Sequence, residues 1–192
     1  MKRTTFLYIL IALFALSCKA QPKHELRAAW LTTVGGLDWP HNYAQSPKSI
    51  RRQQEELCRT LDLLKEAHVN TVLFQTRIRG TVIYPSTQEP WDGCTSGNPG
   101  QNPGYDPLQF AIDECHRRGM ELHAWVVTIP IGKWNGAGAR NLMRRNPRLV
   151  KRIGDEAYMN PEAAGTADYL ADLCGDITKR YDVDGIHLDY IR

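Results

Sequence analysis

The chain has 192 residues, 24 Lys and Arg against 21 Asp and Glu, and a formal net charge of +3. That near-balance gives no reason to expect nucleic acid or an anionic membrane surface as a partner, and the length suits one hydrophobic core. Five cysteines occur without a C-x-x-C pair, which argues against a zinc site.

Residues 1–20 read as a targeting segment. Lys2 and Arg3 form a basic start, and Phe6 to Leu16 is an apolar run too short to span a membrane but suited to a signal peptide. Two cleavages fit. Ala15-Leu16-Ser17-Cys18 resembles a bacterial lipobox with Cys18 as the lipidated residue, while Cys18-Lys19-Ala20 before Gln21 suits an ordinary signal peptidase. Either one predicts export, to the periplasm or, if Cys18 is lipidated, the outer membrane. The only expected tie to a membrane is that lipid.

From residue 25 onward, short apolar segments alternate with helical stretches. Strands are predicted near 27–33, 70–77, 120–127 and 184–190, and helices near 47–68, 106–118 and 161–180. Each helix is expected to open with a polar cap followed by proline: Ser46-Pro47, Asp106-Pro107 and Asn160-Pro161. Such alternation implies βαβ units and a parallel sheet. Helix-to-strand links are tight, whereas the strand-to-helix loops, near 33–46, 78–105 and 128–160, are long. In a parallel barrel all the long loops share the C-terminal end of the strands, where ligands bind. The expected fold is therefore a (β/α)8-type barrel, of which residues 25–192 would supply about the first four βα units. A full barrel takes typically about 250 residues, so the chain reads as the truncated N-terminal half of one.

Side chains alternate across a strand. By parity Trp30 pairs with Thr32, Gln75 with Arg77, His123 with Trp125, and His187 with Asp189. Each strand thus has one face carrying polar or aromatic groups near its C-terminal end, and four such faces turned inward would converge on one pocket. All five tryptophans (Trp30, Trp39, Trp91, Trp125, Trp134) fall on strand ends or long loops. Indoles stack well on the apolar faces of sugars, although they also plug barrel mouths. Asp189 is the candidate catalytic carboxylate, since glycoside hydrolysis uses two carboxyl groups flanking the bond. Arg192 would keep it ionised, and Tyr190 would donate to it or to substrate. Asp184, at the other end of the strand, is expected to serve as a turn or cap.

Several strings carry a family resemblance. They include Arg27-Ala28-Ala29-Trp30-Leu31-Thr32-Thr33, Phe74-Gln75-Thr76-Arg77, Tyr84-Pro85-Ser86 and Glu89-Pro90-Trp91. Further along come Pro103-Gly104-Tyr105-Asp106-Pro107-Leu108, Arg118-Gly119-Met120-Glu121-Leu122-His123-Ala124-Trp125 and Asp184 to Arg192. Together they resemble the bacterial family 10 glycosyl-hydrolase-like proteins. The resemblance implies a glycosidase barrel related to the α-amylase type, in an exported and often lipid-anchored protein. It also implies a nucleophile at the end of the fourth strand, matched by Asp189, and an acid/base carboxylate from a later strand. Gln75, Arg77, His123 and His187 would then position hydroxyls or developing charge, and Trp30, Trp125 and Trp91 would line sugar subsites. The expected substrate is an extracytoplasmic polysaccharide, with cell-wall glycan first, and no cofactor is implied. Two rivals stand beside this reading. A metal-dependent barrel hydrolase would use His123, His187 and Asp189 as ligands, and a non-catalytic carbohydrate-binding barrel would keep the tryptophans without the second carboxylate.

Overall fold

The computed structural model describes residues 25–191. The leader and Cys18 readings, and the role given to Arg192, lie outside those residues.

Four strands form a parallel sheet in the order β1 (Ala28–Leu31), β2 (Thr71–Arg77), β3 (Glu121–Val127) and β7 (Gly185–Asp189). Helix α1 (Pro47–Glu66) connects β1 to β2. The short α2 (Gly93–Ser96) and then α3 (Pro107–Arg117) connect β2 to β3, and α5 (Thr166–Arg180) leads into β7. The capping chemistry explains two of these starts. Ser46 and Ser49 form a reciprocal capping box, and the Asp106 carboxylate accepts from the N–H groups of Leu108 and Gln109 at 3.1 Å each. Proline follows both caps, where no donor is lost.

The third expected start is corrected. Asn160-Pro161 opens a turn, in which Asn160 Oδ1 accepts from the Glu162 N–H and the Asn160 carbonyl accepts from Thr166 Oγ. The helix begins only at Thr166, after Gly165 at φ +95°. Asx-Pro initiates turns as readily as helices. The segment 128–160 is likewise not a plain loop. It holds β4 (Pro130–Lys133), α4 (Ala137–Arg145), β5 (Val150–Ile153) and β6 (Glu156–Met159), with the three strands in an antiparallel sheet ordered β4-β6-β5.

The core sits on one face of the parallel sheet. Val72, Phe74, Leu122 and Ala124 pack there against Leu57 and Leu61 of α1, Leu108 and Ile112 of α3, and Leu173 and Ile177 of α5. A second apolar cluster, including Ile131, Leu142, Ala157 and Met159, holds the small sheet to α4. The predicted parity is what the sheet shows. The even-numbered positions of β2 and β3 face the helices. That leaves Leu73, Gln75, His123 and Trp125, with Gly185, His187 and Asp189 of β7, on the opposite face.

At the other end of the strands, Asp184 accepts from the Leu122 N–H and pairs with His116 Nε2, both at 2.8 Å. Burial favours the neutral acid, but the His116 contact and the Leu122 N–H outweigh it and hold the carboxyl below its ordinary value. Asp184, expected as a turn or cap, thus ties β7 to the start of β3.

Candidate active site

Parallel pairing fixes heights along the sheet. Trp30, Leu73, His123 and Gly185 share one level; Gln75, Trp125 and His187 share the next; Val127 and Asp189 share the one above. Asp189 is the last residue of β7, at the end from which the long loops depart.

Its carboxylate is held from two sides. Trp125 donates its indole N–H to Oδ2 at 3.1 Å, and the Tyr190 backbone N–H donates to Oδ1 at 2.6 Å. Together the two contacts fix its orientation. Tyr190 adopts a left-handed backbone at φ 52°, a conformation that costs a non-glycine residue about 1 kcal/mol or more. Residues just past β3 hold it there. Ile129 N–H donates to the Tyr190 carbonyl at 3.2 Å, Thr128 N–H to the Asp189 carbonyl at 2.9 Å, and Thr128 Oγ lies within 3.0 Å of both carbonyls. One level down, Trp30 donates its indole N–H to His187 Nε2 at 3.2 Å, with the rings edge to face. Trp30 is 59% exposed and offers the broadest aromatic face of the group, whereas Trp125 is 8% exposed. Trp125 is therefore placed to grip the carboxylate more than to carry a sugar.

Other predicted residues lie elsewhere. Arg77 is fully buried. Its Nε and Nη2 donate to Glu89 at 2.7–3.0 Å, Nη2 also faces Met159 Sδ at 3.7 Å, and Nη1 donates to the carbonyls of Val127 and Thr128. With every N–H engaged, it ties the loop after β2 to the end of β3 and has no donor left for substrate. A register shift between Gln75 and Arg77 carries it over the top of β3. Gln75 commits its side-chain amide oxygen, Oε1, to the N–H groups of Thr33 and Val34 and to Thr32 Oγ, at 2.6–2.9 Å. It shapes the loop after β1. His123 stands two levels below Asp189, about 13 Å down the strand at some 3.3 Å per residue. Its Nε2 lies 3.2 Å from Glu121, and its ring lies over Gly185, where an added Cβ would come within 2.7 Å of Nδ1. His123, His187 and Asp189 thus occupy three different levels, and among the described residues no three His, Cys, Asp or Glu gather closely enough to hold a metal ion. Trp91 is half-buried in the loop after β2, bridged to Val82. Trp39 is fully buried against Phe74, a plug in the core.

Sequence reasoning missed Thr128, and it assigned no role to Glu89. Glu89, 4% exposed, is the counter-charge of Arg77 and accepts from the Tyr169 hydroxyl at 3.1 Å. The signal for it was a carboxylate ending the uncharged stretch 80–88, just before Pro90 and Trp91.

A parallel sheet with helices on one face and a row of polar and aromatic groups on the other is the arrangement of (β/α) barrels. The chain has that TIM-barrel-like fold: an alpha-L-fucosidase isoenzyme 2 from Paenibacillus thiaminolyticus superposes at TM-score 0.54 and 15% identity, over 86% of this chain and 23% of that one. Residues 25–191 match the glycosyl hydrolase-like 10 family, and the chain belongs to it. It is 31% identical to glycosyl hydrolase YngK of Bacillus subtilis over 94% of this chain, and 33% identical to glycosyl hydrolase DigH of Escherichia coli K12 over 88%. The chain spans 36% and 42% of the lengths of those two relatives.

Proposed function

We propose that this chain carries part of the active site of an exported glycoside hydrolase that cleaves O-glycosidic bonds in an extracytoplasmic polysaccharide, cell-wall glycan first among them. The observation that carries the reading is the Asp189 carboxylate, presented at the C-terminal end of a parallel strand and gripped by Trp125 and the Tyr190 N–H. In this role Asp189 attacks the anomeric carbon as the leaving oxygen is protonated by a second carboxyl group from a later strand of the barrel. The two N–H donors fix the attacking oxygen, a geometry that contributes through orientation. His187 and Trp30, one and two levels below Asp189, would contact the bound sugar, and Trp91 would serve a subsite on the loop after β2. Export rests on the basic start and the apolar run at Phe6 to Leu16, with Cys18 as a lipid anchor at the outer membrane.

The test uses the full-length protein on isolated cell-wall glycan. Asp189→Asn keeps the side-chain shape and removes the charge. It should lower kcat by about three orders of magnitude or more while glycan binding persists. A kcat close to wild type would defeat the assignment.

A further inference from the structure

Two clefts adjoin on the rim built by the loops that follow β1, β2 and β3. One, of about 610 Å³, lies between Tyr43, Arg79 and Lys133; the other, of about 530 Å³, is lined by Arg140, Met143 and Arg144. Pro99 and Ala137 line both, so the two form one trough. It lies at the end of the sheet where Asp189 is presented.

The trough is electrostatically one-sided. Arg79, Lys133, Arg140 and Arg144 line it, against a single carboxylate, Asp92. That carboxylate is already engaged, accepting from Thr81 Oγ at 2.6 Å and from the Cys94 N–H at 2.8 Å. Lys133 pairs with Glu156 at 2.5 Å, and Arg140 donates to the Asn135 carbonyl. Arg79 and Arg144 are exposed and make no hydrogen bond or ion pair among the described residues. The Arg79 stem is nonetheless placed: it lies on Gly132, where an added Cβ would come within 3.2 Å of the Arg79 Cβ. Its guanidinium is thus carried on a fixed stem and left open.

Charge counting points the same way. Residues 130–159 hold seven Lys and Arg against two Asp and Glu, a net of +5, while the whole chain is +3 and the remainder therefore −2. A lone exposed arginine is ordinary. Four cations along one continuous trough, in a chain otherwise slightly acidic, create a local positive potential that draws an anion. The lining also includes Tyr43, Pro99, Ile131 and Met143, an apolar component that suits the faces of sugar rings.

We infer that this trough binds a carboxylate-bearing stretch of a glycan, with Arg79 and Arg144 contacting anionic groups on sugar units beyond the one cleaved. The inference rests on the glycosidase reading of Asp189. Guanidinium suits the task because its planar fork matches a carboxylate.

Calorimetric titration of the full-length Asp189→Asn protein tests it. The probes are a carboxymethylated chito-oligosaccharide, its unmodified parent of the same length, and inorganic polyphosphate as competitor. The charged oligomer should bind at least about tenfold more tightly than its parent, with an advantage that shrinks as salt is raised. Combining Arg79→Gln with Arg144→Gln should remove most of that advantage and leave the parent's affinity unchanged. Thermal melting of the doubly substituted protein should match that of its parent, since both side chains are exposed and unpaired. Equal affinity for the two oligomers, or an advantage insensitive to the arginine substitutions, would overturn the inference while leaving the glycosidase reading standing. Displacement of the charged oligomer by polyphosphate at equal charge would also overturn it, reducing the trough to a general polyanion surface. Failure of both oligomers to bind would count against the glycosidase reading itself.

Discussion

Replacing Glu89 by Gln removes the counter-charge of a fully buried guanidinium. The Arg77 and Glu89 side chains are 0% and 1% exposed. The carboxylate accepts from Arg77 Nε and Nη2 and from the Tyr169 hydroxyl. Glutamine keeps one acceptor oxygen, turns the other into a donor facing Arg77, and leaves a buried positive charge uncompensated. Breaking a buried pair on one side costs about 3–5 kcal/mol. The retained acceptor puts the expected loss near the lower end, about 3 kcal/mol. For a domain of this size about 1 kcal/mol moves Tm by roughly 2–4 °C, so the shift should be about 6–12 °C. Urea unfolding of the full-length protein, followed by calorimetry, measures it. Adding Arg77→Met should recover part of the loss, because it removes the stranded charge. A loss below about 1 kcal/mol for Glu89→Gln, or no recovery in the double variant, would show that the tie between the loop after β2 and the end of β3 is not closed as described.

Three further outcomes follow from particular contacts. Trp125→Phe keeps the ring and deletes the donor to Asp189, so kcat on cell-wall glycan should fall about tenfold or more with little change in KM; an effect confined to KM would return Trp125 to a stacking role. Gly138→Ala would place a Cβ within 2.2 Å of the Arg79 carbonyl and 2.7 Å of the Gly80 carbonyl, both backbone atoms that cannot swing aside. It should cost about 1–3 kcal/mol or more in urea unfolding, and a neutral result would mean α4 does not press on that loop. Because the folded pKa of Asp184 is depressed, its contribution to stability is present above the unfolded carboxylate value of about 4 and is lost as pH falls through the lower folded value. The Tm gap between wild type and Asp184→Asn should therefore be open at pH 5 and close in more acidic buffer; a gap independent of pH would refute that linkage.

The parallel sheet was legible because its signals are local and redundant. The strands alternate, two helices carry cap-proline starts, and loop lengths separate one end of the sheet from the other. The excursion at 128–160 was less legible because its strands are four residues long and its charges dense. Ile153-Gly154-Asp155-Glu156 nonetheless held a hairpin signal, with Gly154 at φ 59° between β5 and β6. Parity correctly sorted faces but could not tell which members of a face reach the same place. Arg77, Gln75 and His123 share a parity class with Asp189, yet a register shift, a committed side-chain amide and a height of two levels separate them from it. Those depend on contacts with residues 12 to 50 positions away or more, which no local pattern reports. Trp125 and Asp189, 64 residues apart, met because they face the same way on adjacent strands at neighbouring levels.

In the proposed mechanism Asp189 is the group that forms the bond to the sugar. Full-length protein quenched during turnover of a slow fluorinated glycoside, then digested and analysed by mass spectrometry, addresses it directly. A glycosyl adduct is expected on the peptide containing Asp189, and none on that of Asp189→Asn. An adduct on another carboxylate, or turnover with inversion and no adduct at all, would contradict it.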